Sequence, residues 1–258
     1  MNYQHVPVLL NEAVEGLNVK NGGLYIDCNL GGGGHTAKIL ELGGNVLALD
    51  IDKSAIEYCT DRFSSEMRSG KLKIFKSNFK DIKRVTKEAG WKESEIDGVL
   101  YDLGLSTFQI KQSARGFSFE DQTELDMRMD QELGVRAIDL LIVLSEDELA
   151  SLILDYGDEP QAKIFAKAIK KLIKQKDGKI TAFQLAEVVK NSSKYRASRL
   201  HPATRVFQAL RIAVNSELSS FESSVQDAAD LLRTGGRLSI ITFHSLEDRI
   251  AKSINDRS

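Results

Sequence analysis

The chain has 258 residues, 42% hydrophobic and 28% charged. That composition excludes a disordered or collagen-like chain and leaves room for one large domain or two smaller ones, burying roughly 70–75% of the unfolded surface. No apolar run approaches the length of a membrane span, and Met1-Asn2-Tyr3-Gln4-His5 lacks the basic and apolar regions of a signal peptide. Two cysteines, Cys28 and Cys59, make no disulfide framework, so a reducing cytoplasm is expected. The net charge of −2 hides an asymmetry. Residues 112–160 carry 3 basic and 13 acidic side chains, whereas 161–211 carry 13 basic and 2 acidic ones. The second segment suits a polyanionic partner, or else a solvated lysine-rich face.

In chain order, the first hundred residues alternate strand and helix. Leu24 to Cys28 reads as a strand, followed by Gly31-Gly32-Gly33-Gly34 and a helix from His35 to Leu42. Asn45 to Asp50 is a second strand. Ser54-Ala55-Ile56-Glu57 fits a capping box opening the next helix, with Ile56 and Cys59 facing inward. Asp52 is an alternative cap. Leu72 to Phe75 and Ile96 to Tyr101 complete four strands, a rhythm that implies a parallel sheet covered on both faces.

From Lys111 to about His201 the pattern is helical. Ser145–Glu148 and Thr181–Gln184 are capping boxes. Leu149, Leu152, Ile153 and Tyr156 form one apolar stripe, Phe165, Ile169, Leu172 and Ile173 another, and Leu185, Val188 and Val189 a third. His201-Pro202 reads as a helix start with proline at its first position. One long helix is then expected, carrying Phe207, Leu210, Val214, Leu218 and Phe221. Its opposite face carries Thr204, Gln208, Arg211 and Asn215. Gly235-Gly236 would end the following helix, and Arg237 to Phe243 would be the fifth strand. The expected architecture is therefore α/β: a Rossmann-like sheet domain, 1–110 and 203–258, with an all-helical insertion, 111–202.

A glycine loop between strand and helix suits an anion or a nucleotide, because backbone approaches the ligand closely and the helix start offers free N–H groups. The dinucleotide fingerprint fails at its last position, where Thr36 replaces glycine. That disfavours an NAD(P)-dependent oxidoreductase. What remains, Asp27-x-Asn29-x-Gly31-x-Gly33-Gly34, is similar to the first motif of S-adenosylmethionine (SAM) methyltransferases. Asp50, ending the second strand, suits ribose hydroxyls. Phe79, after the third, suits either an adenine ring or the core. Asp102 ends the fourth strand, on the edge where ligands gather in such sheets. Asp126, Arg128 and Asp130 read from the residues alone as a surface turn with screened ion pairs. The histidines His5, His201 and His244 fit no zinc spacing, and no metal is expected. His244-Ser245-Leu246-Glu247 reads as a strand end with Ser245 capping the next helix.

Longer blocks are more specific. They are His5-Val6-Pro7-Val8-Leu9 with Glu12, Gly33-Gly34-His35, Asp102-Leu103-Gly104-Leu105-Ser106 and Arg115-Gly116-Phe117-Ser118-Phe119. Leu125-Asp126-Met127-Arg128-Met129-Asp130, His201-Pro202-Ala203-Thr204-Arg205 and Phe243-His244-Ser245-Leu246-Glu247-Asp248-Arg249 follow. In this order the chain resembles the bacterial ribosomal RNA small-subunit methyltransferase H family, also called MraW. The resemblance implies a SAM-dependent enzyme methylating N4 of a cytidine in the decoding region of small-subunit rRNA, and a helical insertion that recognises RNA. It carries SAM contacts to Gly33, Gly34, His35, Asp50, Phe79, Asp102 and Gln109. Catalytic candidates are Asp102, Asp126, Arg128 and His244. RNA candidates are Phe117, Phe119, Arg205, Arg211 and Asn215. The implied partner is small-subunit rRNA within the ribosomal subunit, with a second copy of the chain also to be considered, and no membrane. Asn29 departs from the family's small Thr-like residue. Family members also continue for some tens of residues past this chain's end, with a basic segment and a last strand. The alternative reading is a truncated or non-catalytic RNA-binding ribosome-assembly factor.

Overall fold

The computed structural model describes residues 7–104, 115–194 and 200–255. The chain divides into two compact units, residues 1–108 with 218–258, and residues 109–217.

The first unit is a parallel sheet in the order β3-β2-β1-β4-β5. The strands are β1 (Leu24–Asp27), β2 (Asn45–Asp50), β3 (Leu72–Lys76), β4 (Ile96–Asp102) and β5 (Leu232–Ile241). Its first five helices are α1 (Leu10–Leu17), α2 (Gly34–Glu41), α3 (Lys53–Arg62), α4 (Ser64–Arg68) and α5 (Ile82–Glu88). The strands alternate their side chains between two cores, as a sheet buried on both faces requires. Tyr25, Val46, Ala48 and Leu100 join Ala13, Val14, Leu17, Ile39, Cys59 and Phe63 on one face. Ile26, Leu47, Leu49, Val99 and Tyr101 join Ile82, Val85, Phe221 and Val225 on the other.

The second unit is helical: α6 (Ala137–Val143), α7 (Glu146–Gly157), α8 (Ala162–Gln175), α9 (Ala182–Ser192) and α10 (Thr204–Asn215). Both capping boxes form. Ser145 Oγ accepts Glu148 N–H while Glu148 reaches back to Ser145 N–H, and Thr181 and Gln184 do the same. α7 packs between α8 and α10. Gly157 permits a close approach, since a Cβ there would stand 2.6 Å from the Arg205 carbonyl oxygen.

Several expectations change. The long helix after Pro202 is two, because Ser216 adopts φ 51° and separates α10 from α11 (Glu217–Leu231). The unit boundary consequently falls at Glu217 rather than at 202, and α10 belongs to the helical unit. Pro202 lies two residues ahead of α10, and Thr204 N–H bonds the His201 carbonyl instead. Residues 115–136 hold no helix; turns and side-chain bonds to backbone organise them. Asp52, rather than Ser54, caps α3, its carboxylate accepting Ser54 N–H at 2.9 Å. Pairing of β5 begins at Leu232, directly after α11, so Gly235-Gly236 falls in an irregular stretch of the strand instead of ending a helix. Its last helix, α12 (Ser245–Asn255), begins at Ser245 itself, and His244 Nδ1 accepts Glu247 N–H at 3.4 Å.

Candidate functional site

The carboxyl ends of β1, β2 and β4 carry Asp27, Asp50 and Asp102, and the glycine loop after β1 lies against them. Asp27 is fully buried. Its carboxylate accepts Thr36 Oγ1–H at 2.7 Å and Asn29 N–H at 3.1 Å. Thr36, the residue that breaks the dinucleotide fingerprint, thus ties α2 to the end of β1. Asp50 accepts Gly31 N–H at 2.8 Å and Asp52 N–H at 2.8 Å, so it fixes the loop on one side and the start of α3 on the other. Burial pushes its carboxyl up to about 6 against those two bonds.

The loop is tight. Gly33 has φ 73°, and a Cβ there would stand 2.5 Å from the Phe63 ring and 3.1 Å from Cys59 Sγ. A Cβ on Gly34 would meet the Pro7 ring at 2.1 Å. Only glycine fits either place. Cys59 Sγ–H and Arg62 Nη1–H donate to the carbonyls of Gly31 and Gly32. No side chain caps the start of α2, so its first N–H groups remain available to an anion.

Asp102 and His35 stand together, Nδ1 to Oδ2 3.5 Å. Burial pushes the Asp102 carboxyl up to about 7, with Asp27 and then Glu247 adding repulsion. Burial lowers the His35 pKa, against the opposing effects of Asp27 and of a backbone bond to Val8. Asp102 Oδ1, His35 Nε2 and Asn29 Oδ1 are buried and without a hydrogen-bond partner among the described residues. Unpaired buried polar atoms are costly, so these three are candidates to bond a ligand. Glu247 is buried, accepts Phe243 N–H at 2.8 Å, and lies 3.1 Å from His244 Nε2. The register that pairs Asp102 with Ile241 is what brings this end of β5 beside β4. Phe79 is half-buried, edge-on to Tyr101 at 5.8 Å, and its carbonyl accepts Ser224 Oγ–H.

Of the expected cofactor residues, Gly33, Gly34, His35, Asp50 and Asp102 meet in this arrangement, and Phe79 follows β3. Gln109 lies outside the described residues. Asp27 and Glu247 had no assigned role in the sequence. Asp27 was visible in the motif around the glycine loop and Glu247 in the block from Phe243 to Arg249; the structure adds their burial and their electrostatic effect on Asp102.

The remaining candidates sit in the helical unit. Arg128 grips Asp126 through Nε and Nη2 at 2.7 and 2.9 Å and donates Nη1–H to the carbonyls of Gln131 and Leu133, organising one turn. Phe117 is buried beneath the Arg115 guanidinium. Phe119 stacks on His201 at 4.7 Å and meets Phe207 edge-on. Arg205 donates to the Asp158 carbonyl. Arg211 forms a two-bond pair with Glu217 at 2.8 Å. Asn215 is buried and spends its whole amide inside the unit, on Met129 N–H and on the carbonyls of Met127 and Arg211. In this arrangement Arg211 and Asn215 stabilise the helical unit.

A parallel sheet of this order, with a glycine loop after β1 and acids ending β2 and β4, is the frame of a Rossmann-like methyltransferase. The sequence profile of the MraW methylase family matches residues 2–257, and the chain belongs to that family. Among its relatives, the ribosomal RNA small subunit methyltransferase H of Brevibacillus brevis is 43% identical over 98% of this chain and 81% of its own length. The protein of the same name from Lactiplantibacillus plantarum is 41% identical over 98% of this chain and 80% of its own.

Proposed function

We propose that the chain is a SAM-dependent enzyme that methylates N4 of a cytidine in the decoding region of small-subunit rRNA. The names of the relatives support the substrate class. The choice of N4 and of the decoding region rests on the resemblance carried by the sequence blocks. The helical unit is the RNA-recognition part in this reading.

The observation that carries it is Asp102: a carboxylate at the end of β4 with one oxygen unpartnered, beside a glycine loop that admits no Cβ. The residues suit SAM. The uncapped N–H groups of α2 match its carboxylate, Asp102 Oδ1 its ammonium, Asp50 its ribose diol and Phe79 its adenine. When bound, SAM supplies an electrophilic methyl group on a sulfonium. The N4 lone pair of cytosine is delocalised into the ring, so the protein has to place the amine and localise that pair. Asp102 accepts a hydrogen bond from the exocyclic N–H, which draws electron density back onto nitrogen. Placement of this kind is worth about 7–11 kcal/mol. The amine proton leaves after transfer, so no strong base is needed. The target base must be extruded from its stack, at a few kcal/mol in duplex RNA.

The test follows radiolabelled methyl from SAM into small ribosomal subunits lacking the modification, with the nucleoside identified by mass spectrometry. N4-methylcytidine is the expected product. A methyl group on another atom refutes the N4 assignment. SAM binding without transfer favours the assembly-factor reading.

A further inference from the structure

α8, with the sequence AKIFAKAIKKLIKQ, contains no acidic residue. Its buried side is Ala162, Phe165, Ala166, Ile169 and Ile173. Lys163, Lys167, Lys171 and Lys174 are all exposed. At 3.6 residues per turn these four fall within an arc of roughly 80°, and at 1.5 Å per residue they run along about 17 Å of helix. They form a straight basic stripe opposite the buried face.

The stripe is unpaired. Among the described residues Lys38, Lys53, Lys83, Lys92, Lys190 and Lys252 each have a carboxylate within 4 Å. None of the four stripe lysines does, although the neighbouring α7 carries Glu146, Asp147, Glu148 and Asp155. One lysine of the same helix has a structural task. Lys170 Nζ donates to the carbonyls of Leu141, Ile142 and Leu144, closing the end of α6. The stripe has no such task. Its 163/167 and 167/171 pairs are like charges four residues apart, an arrangement that destabilises a helix. A destabilising stripe without internal compensation matches an external polyanion in sign and shape.

Resting on the rRNA reading above, we propose that Lys163, Lys167, Lys171 and Lys174 are a docking rail for the phosphate backbone of the substrate RNA, a surface that orients the strand without reading its sequence. Lysines are suited to this, being point charges on flexible stems.

The test is the full chain carrying K163Q, K167Q, K171Q and K174Q together, because glutamine keeps nearly the helix propensity of lysine. The probe is rRNA from small subunits that lack the modification, and the readout is the slope of log affinity against log salt. Each lost phosphate contact removes about 0.7 from the slope for single-stranded RNA and about 0.9 for a duplex. The expected result is a slope shallower by about 3, with SAM affinity unchanged and thermal stability equal or higher. A matched set on the sheet unit, K53Q, K71Q, K87Q and K92Q, is expected to change the slope by less than 1. An unaltered slope in the first variant, or an equal loss in both, overturns the rail. A wild-type chain that binds this RNA and SAM but transfers no methyl to small subunits favours the assembly-factor reading, and the two slopes still decide the rail.

Discussion

Asp102 carries two demands that pull against each other. A ligand role requires its carboxylate ionised, whereas burial beside Asp27 and Glu247 favours the protonated acid, with a pKa raised from 3.8 to about 7. Between pH 4 and 7 the folded chain holds a proton that the unfolded chain has lost, so stability falls as pH rises through that window and is level above it. Replacing Asp102 by Asn removes the cost of burying the charge. At pH 8 the variant is expected to gain on the order of 3 kcal/mol, and at pH 4 nearly nothing, measured by urea unfolding at both values. Activity moves the other way. In the wild type, kcat/KM is expected to rise with pH through about 7, and Asp102→Asn is expected to lose methyl transfer across the whole range. A variant with unaltered SAM affinity and turnover removes Asp102 from the site.

At the scale of elements, the short unhelical stretch 115–136 depends on distant partners. Asn215, at the end of α10, holds Met127 and Met129 by their backbones. Arg115 Nη1 donates to the carbonyls of Arg128 and Met129. Asn215→Ala leaves a buried N–H and a buried carbonyl without their partner, each worth about 1–3 kcal/mol. A loss of about 2–4 kcal/mol is expected in urea unfolding, with SAM affinity unchanged. An unchanged stability with weakened RNA binding would mean that the amide faces the ligand instead. The range of a contact decides what was legible in sequence. The capping boxes at Ser145 and Thr181, the strand β2 and the acids ending β2 and β4 declare themselves within a few residues, because their chemistry is local. The box read at Ser54 gave way to Asp52, whose N–H is held by Asp50. The grip of Asn215 and the approach of Glu247 to Asp102 join residues far apart in the chain, and periodicity contains no trace of them.

At the scale of the whole molecule, the two faces of the sheet are closed by different parts of the chain. Cys28 packs in the core with α5 and α11, and Cys59 in the opposite core with α1 and α2. Both thiols are free and buried. Burial pushes Cys59 up to about 12 and Cys28 well above its ordinary value, so neither is a reactive thiolate in the closed protein. Cys59 also donates to the Gly31 carbonyl, directly under the glycine loop. The chain therefore carries two native clocks. Alkylation of Cys59 is expected to require opening of the loop, and alkylation of Cys28 opening of the sheet core. Saturating SAM is expected to slow the first clock at least tenfold in a mass-resolved labelling series and to leave the second nearly unaltered. If both slow together, loop and sheet open as one unit, and occupancy of the loop is felt throughout the fold.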